Sequence, residues 1–408
     1  MTYSPTDLLT VYLETGERLK VGRLALRQRQ ILFEYDPAFI ASGIEISPLK
    51  LPLRSGVFIA PDMIFDGLFG IFNDSLPDGW GRLLLDRSVE KHGVRRGQLN
   101  PLDRLAFVGR HGTGALSYEP DRSQYREGDA PLPLDRLAEK SAIMLAGESE
   151  EVFEELLSLN GSSAGARPKI VAQVSASKSR IVHGGQSPLK PGYEHWMIKF
   201  ASTQDPRDVG AIEFAYSLMA RDAGVDVPET HLFRTKKRGY FGVKRFDRKG
   251  DRRVHMHSLS GLIHADHRVP ALDYNLLLRV VLVLTKNIVE VEKAYALACF
   301  NVLAHNRDDH AKNFSFLLDD RNQWIFAPAY DLTFSYGPAG EQSSMVMGEG
   351  RNPAVQHLVA LGKEHSLKNA KRILPNVQSA VVRWKDHAAA AGVSAKSMNE
   401  IAGRLRAN

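Results

Sequence analysis

The sequence predicts an α+β fold, with strands concentrated in its first part and helices in its last. Three observations carry that expectation. Apolar and polar residues alternate over 8–13, 21–26 and 31–35, the period of half-buried strands. A glycine-rich stretch at 161–169 runs into another strand-like segment at 170–174. From 274 the apolar spacing becomes helical and stays so through 303. At 408 residues the chain exceeds one typical domain, so two or three packed units are expected.

Composition narrows the class. A hydrophobic share of 43% can fill a sizeable core, and 25% charged residues is ordinary for a folded protein. The formal charge of +6 permits nucleic-acid contact without demanding it; basic residues scatter, apart from small clusters at 236–238 and 245–253, and there is no zinc-finger spacing. The longest apolar run, 276–284, is broken by Arg279 and is shorter than a membrane span requires. Residues 1–7 contain neither a basic leader nor an apolar stretch, so a cytoplasmic protein without membrane association is expected. The lone Cys299 falls in a helical pattern and reads as a buried apolar side chain.

Taken in order, the strands within 8–35 close on Asp36-Pro37 and form a small β-rich module. A turn-rich entry at 72–81 precedes a helix over 82–91. An acidic helix over 149–159 then leads to the glycine-rich loop, which is not a Walker A sequence because the Gly-Lys-Ser/Thr ending is absent. Alone, that loop reads better as a plain connecting turn. Residues 193–200 alternate as a strand that sets Lys199 among apolar neighbours, where a half-buried ammonium needs a reason. A helix over 211–223, stopped by Gly224, carries Glu213. Each has an ordinary alternative: a snorkelling edge-strand lysine, and an acid favoured near a helix N-terminus. Residues 240–248 form a further strand ending in a charged turn, and the segments 313–318 and 324–326 flank a turn at 319–322.

The residues with the clearest chemistry lie in the run 304–313. Asp308 and Asn313 within it have the Arg-Asp-x-x-x-x-Asn spacing of a protein-kinase catalytic loop. Such a loop needs a carboxylate to accept the proton of an attacking hydroxyl and an amide oxygen to hold magnesium, converging from one short segment. Asp331 arrives after the hairpin that begins at this loop, where kinases place a second magnesium-binding carboxylate. Lys199, Glu213, Asp308, Asn313 and Asp331 therefore occur in kinase order. The four histidines His255, His257, His264 and His267 lack acidic or thiol partners at a recurring spacing and read as polar or capping groups.

These residues resemble the HipA family of toxin kinases. The likeness runs through most of the chain, including Val21-Gly22-Arg23-Leu24, Leu76-Pro77-Asp78-Gly79, Gly165-Ala166 with Lys169, Arg245-Phe246-Asp247-Arg248, His310-Ala311-Lys312-Asn313-Phe314-Ser315 and Tyr330-Asp331. The resemblance implies a two-lobed protein-kinase-like fold with an extra β-rich N-terminal subdomain and an all-helical C-terminal lobe. The corresponding boundaries are 1–125, 126–250 with the phosphate loop and hinge, and 251–408 with the catalytic loop. It further implies ATP and Mg2+ as cofactors, with Asp308 as the base and Asn313 and Asp331 as metal ligands. The ATP-binding set would be Lys199, Glu213, the backbone at Lys244 and Phe246, Asp247 near the ribose, and the loop Ser162, Ser163, Ala164 and Gly165. Ser162 would be the autophosphorylated serine that silences the kinase, with Ser163 beside it as the alternative; Arg167-Pro168 departs from the family pattern there by stiffening the loop. A protein substrate such as an aminoacyl-tRNA synthetase and a helix-turn-helix antitoxin are the implied partners, with DNA contacted only through the antitoxin. A small-molecule kinase of similar fold and a non-catalytic corepressor are the competing readings.

Overall fold

The computed structural model describes residues 4–405 except 61–62, 92–93, 95, 124–129, 148–155, 158, 160–164, 166 and 185–187. The chain divides into two compact units. The first comprises 1–205, 242–257 and 261–264; the second comprises 206–241, 258–260 and 265–408. These units do not coincide with the three segments 1–125, 126–250 and 251–408, because the chain re-enters the first unit after leaving it.

In the first unit, β1 (Leu8–Glu14), β2 (Arg18–Arg27), β3 (Gln30–Tyr35), β4 (Val57–Ile59) and β5 (Leu116–Glu119) form a sheet in the order β4-β3-β2-β1-β5. All neighbouring pairs are antiparallel. The alternation in the sequence is realised directly: Leu9, Val11 and Leu13 are buried while their neighbours face outward. Phe33 anchors the covered face, with its ring 5.0 Å from Phe72 and 4.8 Å from Tyr35. A second antiparallel group in this unit contains β6 (Lys169–Ser175), β7 (Ile181–Val182) and β8 (Tyr193–Lys199), with β6 between the other two. Every residue of β6 is buried, as in a strand covered on both faces. Residues Gly242 to Lys244 extend the group by pairing with Ile198 to Trp196 on β8.

The second unit is mainly helical. Its predicted helical run from 274 to 303 is two helices, Tyr274–Thr285 and Ile288–Leu303. The break has a local cause: Lys286 adopts the left-handed conformation and Asn287 caps the second helix by accepting a bond from the Val289 amide. Strands Ser315–Leu318 and Trp324–Phe326 form the antiparallel hairpin that the sequence pattern predicts, so helices are not the unit's only elements. Tyr216, on helix Val209–Asp222, packs its ring 5.3 Å from Trp384 and donates its hydroxyl to the Ala304 carbonyl at 2.7 Å. That bond fixes the end of helix Ile288–Leu303 immediately before the 304–313 run.

The other expectations meet specific outcomes. Cys299 is buried, and burial pushes its thiol up to about 12, in keeping with an inert side chain. His255 bonds the Ile46 carbonyl, His257 bridges Asp74 and Ser47, and His264 accepts from the Gly70 amide, so these histidines join distant segments of the first unit. Most of the acidic segment 149–159 lies outside the described residues. No helix among the described residues is long and apolar enough to cross a membrane.

Candidate active site

Asp308, Asn313 and Asp331 all belong to the second unit. Asp308 is exposed and carries its carboxylate at the start of the turn that follows helix Ile288–Leu303. Asn313 closes the turn: its side-chain amide donates to the Asp308 carbonyl at 2.7 Å. This bond uses the amide nitrogen and does not engage the Asn313 side-chain oxygen, which is an acceptor. The hairpin then returns the chain to Tyr330, whose hydroxyl donates to the Lys312 carbonyl at 2.7 Å and pairs with the Ser315 hydroxyl at 2.6 Å. Asp331 is therefore tied, through its neighbour, to the residues on either side of Asn313.

Two residues here have left-handed backbones without being glycine: His305 at φ 54° and Asp331 at φ 57°. Such a conformation is costly for an ordinary side chain and persists when its surroundings over-determine it. The surroundings do so. Ala329 donates to the Asp226 carbonyl at 2.7 Å on one side of Asp331, and Ser335 donates to the His305 carbonyl at 3.1 Å on the other.

Beside the exposed Asp308 lies Asp309, which is buried and has a different task. Its carboxylate accepts from the Tyr274 hydroxyl at 2.6 Å, the Gln342 amide at 2.9 Å and the Ser344 backbone amide at 3.1 Å. Tyr274 in turn accepts from Asn301, and Asn301 accepts from Asn306. Burial raises the Asp309 carboxyl to about 6, with the hydrogen bonds opposing the rise. This network locks the turn to helices Tyr274–Thr285 and Ile288–Leu303. Sequence reasoning passed over it; the second acid of Asp308-Asp309 was the available signal.

Glu213 is buried on helix Val209–Asp222 in the same unit. Gly210, one turn earlier, has no room for a side chain, because a Cβ there would lie 2.5 Å from the Gly239 carbonyl oxygen.

The first unit holds the remaining candidates. Lys199 is buried at the end of β8, directly opposite Lys169 on β6. Cross-strand partners share a face of the sheet, so the two lysine side chains rise from the same face. Gly165 lies above them at φ 102°; a Cβ on it would come within 2.4 Å of the Lys169 ammonium. The backbone of Gly165 is gripped from both sides, its amide donating to the Asp78 carboxylate and its carbonyl accepting from the Trp80 amide at 3.1 Å. The Leu76-Pro77-Asp78-Gly79 motif thus holds the end of the glycine-rich loop. Ser162, Ser163 and Ala164 lie outside the described residues.

Lys244 follows Val243 along the strand beside β8, and its ammonium pairs with Glu194. Burial opposes ionisation of Glu194, but Lys178 and Lys244 outweigh it and hold the carboxyl down at about 2. Phe246 is half-buried. Asp247 is buried; its carboxylate accepts from Arg245 at 2.9 and 2.7 Å, from Arg248 at 2.8 Å and from the Gly114 amide at 2.9 Å. Every oxygen is engaged by protein groups, and the residue serves as a structural ion-pair hub joining the 112–116 and 245–253 segments.

Comparison with known proteins places this geometry. The HipA-like C-terminal domain matches residues 161–407, and the HipA N-terminal domain matches 9–119. The chain belongs to the HipA family. Among curated HipA-like relatives, the "Putative kinase Y4dM" of Sinorhizobium fredii is 28% identical over 65% of this chain, and the match spans only 63% of that relative's length. The "Putative kinase Y4mE" of the same organism is 25% identical over 76% of this chain and 77% of its own. The solved complex of the Shewanella oneidensis HipA, HipB toxin-antitoxin system with its operator DNA contains a chain that superposes with a TM-score of 0.69. That match has 17% identity and covers 98% of this chain and 95% of that one. The HipA fold is therefore shared over nearly the whole length.

The donor chemistry at Asn313 and Asp331 fits magnesium. One amide oxygen and one carboxylate are hard oxygen ligands, few enough to leave the remaining positions for phosphate and water. Among the described residues no group of three or more His, Cys, Asp or Glu side chains is arranged to hold a metal by itself.

Proposed function

We propose that this HipA-family chain is an ATP-dependent serine/threonine protein kinase, the toxin of a toxin-antitoxin pair, acting in the cytoplasm. The observation that carries the reading is the joint tethering of Asp308, Asn313 and Asp331 by the Asn313 side chain and the Tyr330 hydroxyl. In this mechanism Asp308 accepts the proton of the acceptor hydroxyl as its oxygen bonds the γ-phosphorus and the bond to the ADP oxygen breaks. Asn313 and Asp331 would hold magnesium, which when bound neutralises phosphate charge. Lys199 would meet the ATP phosphates, Glu213 would belong to the ATP-binding set, and the backbone at Lys244 and Phe246 would read adenine. Asp247, held by Arg245 and Arg248, would support that hinge from within and lie near the ribose.

The finer parts of the reading rest on family resemblance. They are the functional segments 1–125, 126–250 and 251–408, inactivation by autophosphorylation at Ser162, and a protein acceptor. A helix-turn-helix antitoxin through which DNA is met belongs with them; the HipB and operator DNA of the Shewanella complex support that partner.

The test is radiolabel transfer from ATP to protein in a cell lysate by wild type, Asp308→Asn and Asp331→Ala. Labelled protein is expected with wild type only. Equal labelling by all three removes the assignment, and label confined to a small molecule moves the acceptor out of the protein class.

A further inference from the structure

We infer that Tyr330 is a positioning residue for the metal site, setting Asp331 against Asn313 through its hydroxyl. The inference deepens the kinase reading and rests on it. A tyrosine hydroxyl has one proton to give. That proton goes to the Lys312 carbonyl at 2.7 Å, so the 2.6 Å contact with Ser315 has the serine as donor and the tyrosine oxygen as acceptor. One hydroxyl thereby clamps the residue before Asn313 and the second residue after it. The chain continues from Tyr330 into Asp331 with only one peptide between the clamp and the carboxylate.

The need for a clamp follows from the backbone. Asp331 sits at φ 57°, in the left-handed region that residues other than glycine occupy only occasionally, aspartate and asparagine most readily. Asn313 is at the end of a single-turn 3-10 helix, Ala311–Asn313, too short to be rigid by itself. The ties at Ala329 and at the Asn313 side chain hold each segment by itself but do not link Asp331 to Asn313, and two ligands set independently would converge on a cation only part of the time. A magnesium site demands near-octahedral placement, so residual freedom there is paid as lost metal affinity. The Tyr330 hydroxyl removes that freedom through its bonds to Lys312 and Ser315, and its neighbour Ala329 is held separately by Asp226.

The experiment measures ATP binding by calorimetry across a magnesium titration, using full-length wild type, Tyr330→Phe, Ser315→Ala and Asp331→Ala. Thermal midpoints are recorded in parallel. Tyr330→Phe keeps the ring and removes the hydroxyl. It is expected to raise the magnesium concentration for half-maximal ATP binding about five- to tenfold, as for loss of one buried hydrogen bond. ATP affinity at saturating magnesium should change less than about twofold, a split that a general loss of structure would not produce. Ser315→Ala, which leaves the Lys312 bond in place, should shift the curve by about two- to threefold. A Tyr330→Phe curve superposed on wild type, with Asp331→Ala having lost its magnesium dependence, overturns the inference and leaves the kinase reading intact. Wild type that binds no ATP at any magnesium concentration overturns both. If Tyr330→Phe fails to fold, Ser315→Ala decides, and its coincidence with wild type counts against the inference.

Discussion

Tyr274 donates its hydroxyl to the Asp309 carboxylate at 2.6 Å, across 35 residues of sequence and one position away from the exposed Asp308. Two adjacent aspartates thus divide the work. One stays at the surface where a hydroxyl can reach it, and the other anchors the turn from inside. Removing the tyrosine hydroxyl leaves a buried carboxylate with one fewer donor. Tyr274→Phe should lower stability by about 1–3 kcal/mol, read as a shift of the urea midpoint at unchanged slope. An unchanged midpoint would show that the turn is held elsewhere.

Asp309 also imposes a pH dependence with a definite sign. Burial raises its carboxyl from 3.8 to about 6, so the folded state holds a proton that the unfolded chain has already released. Its contribution to stability is fully present below pH 3.8 and is lost as pH rises to about 6. Asp309→Asn cannot titrate, so the thermal midpoint of wild type should fall relative to that of the variant between pH 4 and pH 6. Parallel curves for the two proteins would refute this assignment.

Asp247 carries the opposite sign. Burial alone would raise its carboxyl, but Arg245, Arg248 and the Gly114 amide hold it well below the usual carboxylate range. The stabilisation is present above pH 3.8, the ordinary aspartate value, and is lost as acid protonates the folded state. Asp247→Asn leaves two arginines buried without their counter-ion and should cost about 3–5 kcal/mol at neutral pH. Its acid unfolding curve should be flatter than that of wild type. Full stability together with weakened ATP binding would instead restore a direct ligand role.

Gly165→Ala tests the loop. At φ 102° alanine is strained, and its methyl would displace the Lys169 ammonium. ATP affinity should fall about tenfold, corresponding to about 1.4 kcal/mol, with a thermal midpoint near that of wild type. Retained affinity in a folded variant would mean that the loop at Gly165 does not serve the phosphates.

Much of this was legible locally. Alternation announced β1 to β3, and the hairpin after Asn313 announced the return of Asp331, because a turn of a few residues leaves the chain nowhere else to go. Lys199 stood out as a charge among apolar residues. Partnerships across long separations were not legible. Asp309 meets Tyr274 and Gln342 from 35 and 33 residues away, and His257 meets Ser47 from 210. No spacing rule encodes such pairs; only packing brings them together. The burial of Asp247 was not legible for a different reason: its arginine partners are adjacent in sequence, but nothing local says that the cluster is buried.

The left-handed backbone at position 331 also restricts how this protein can change. Glutamate would preserve the charge there yet resist the conformation, whereas asparagine and glycine accept it readily. Loss of the carboxylate in a descendant would therefore pass through asparagine or glycine with the surrounding fold undisturbed. A homologue with either residue at that place, and with an intact tyrosine before it, would have kept the architecture while giving up the carboxylate.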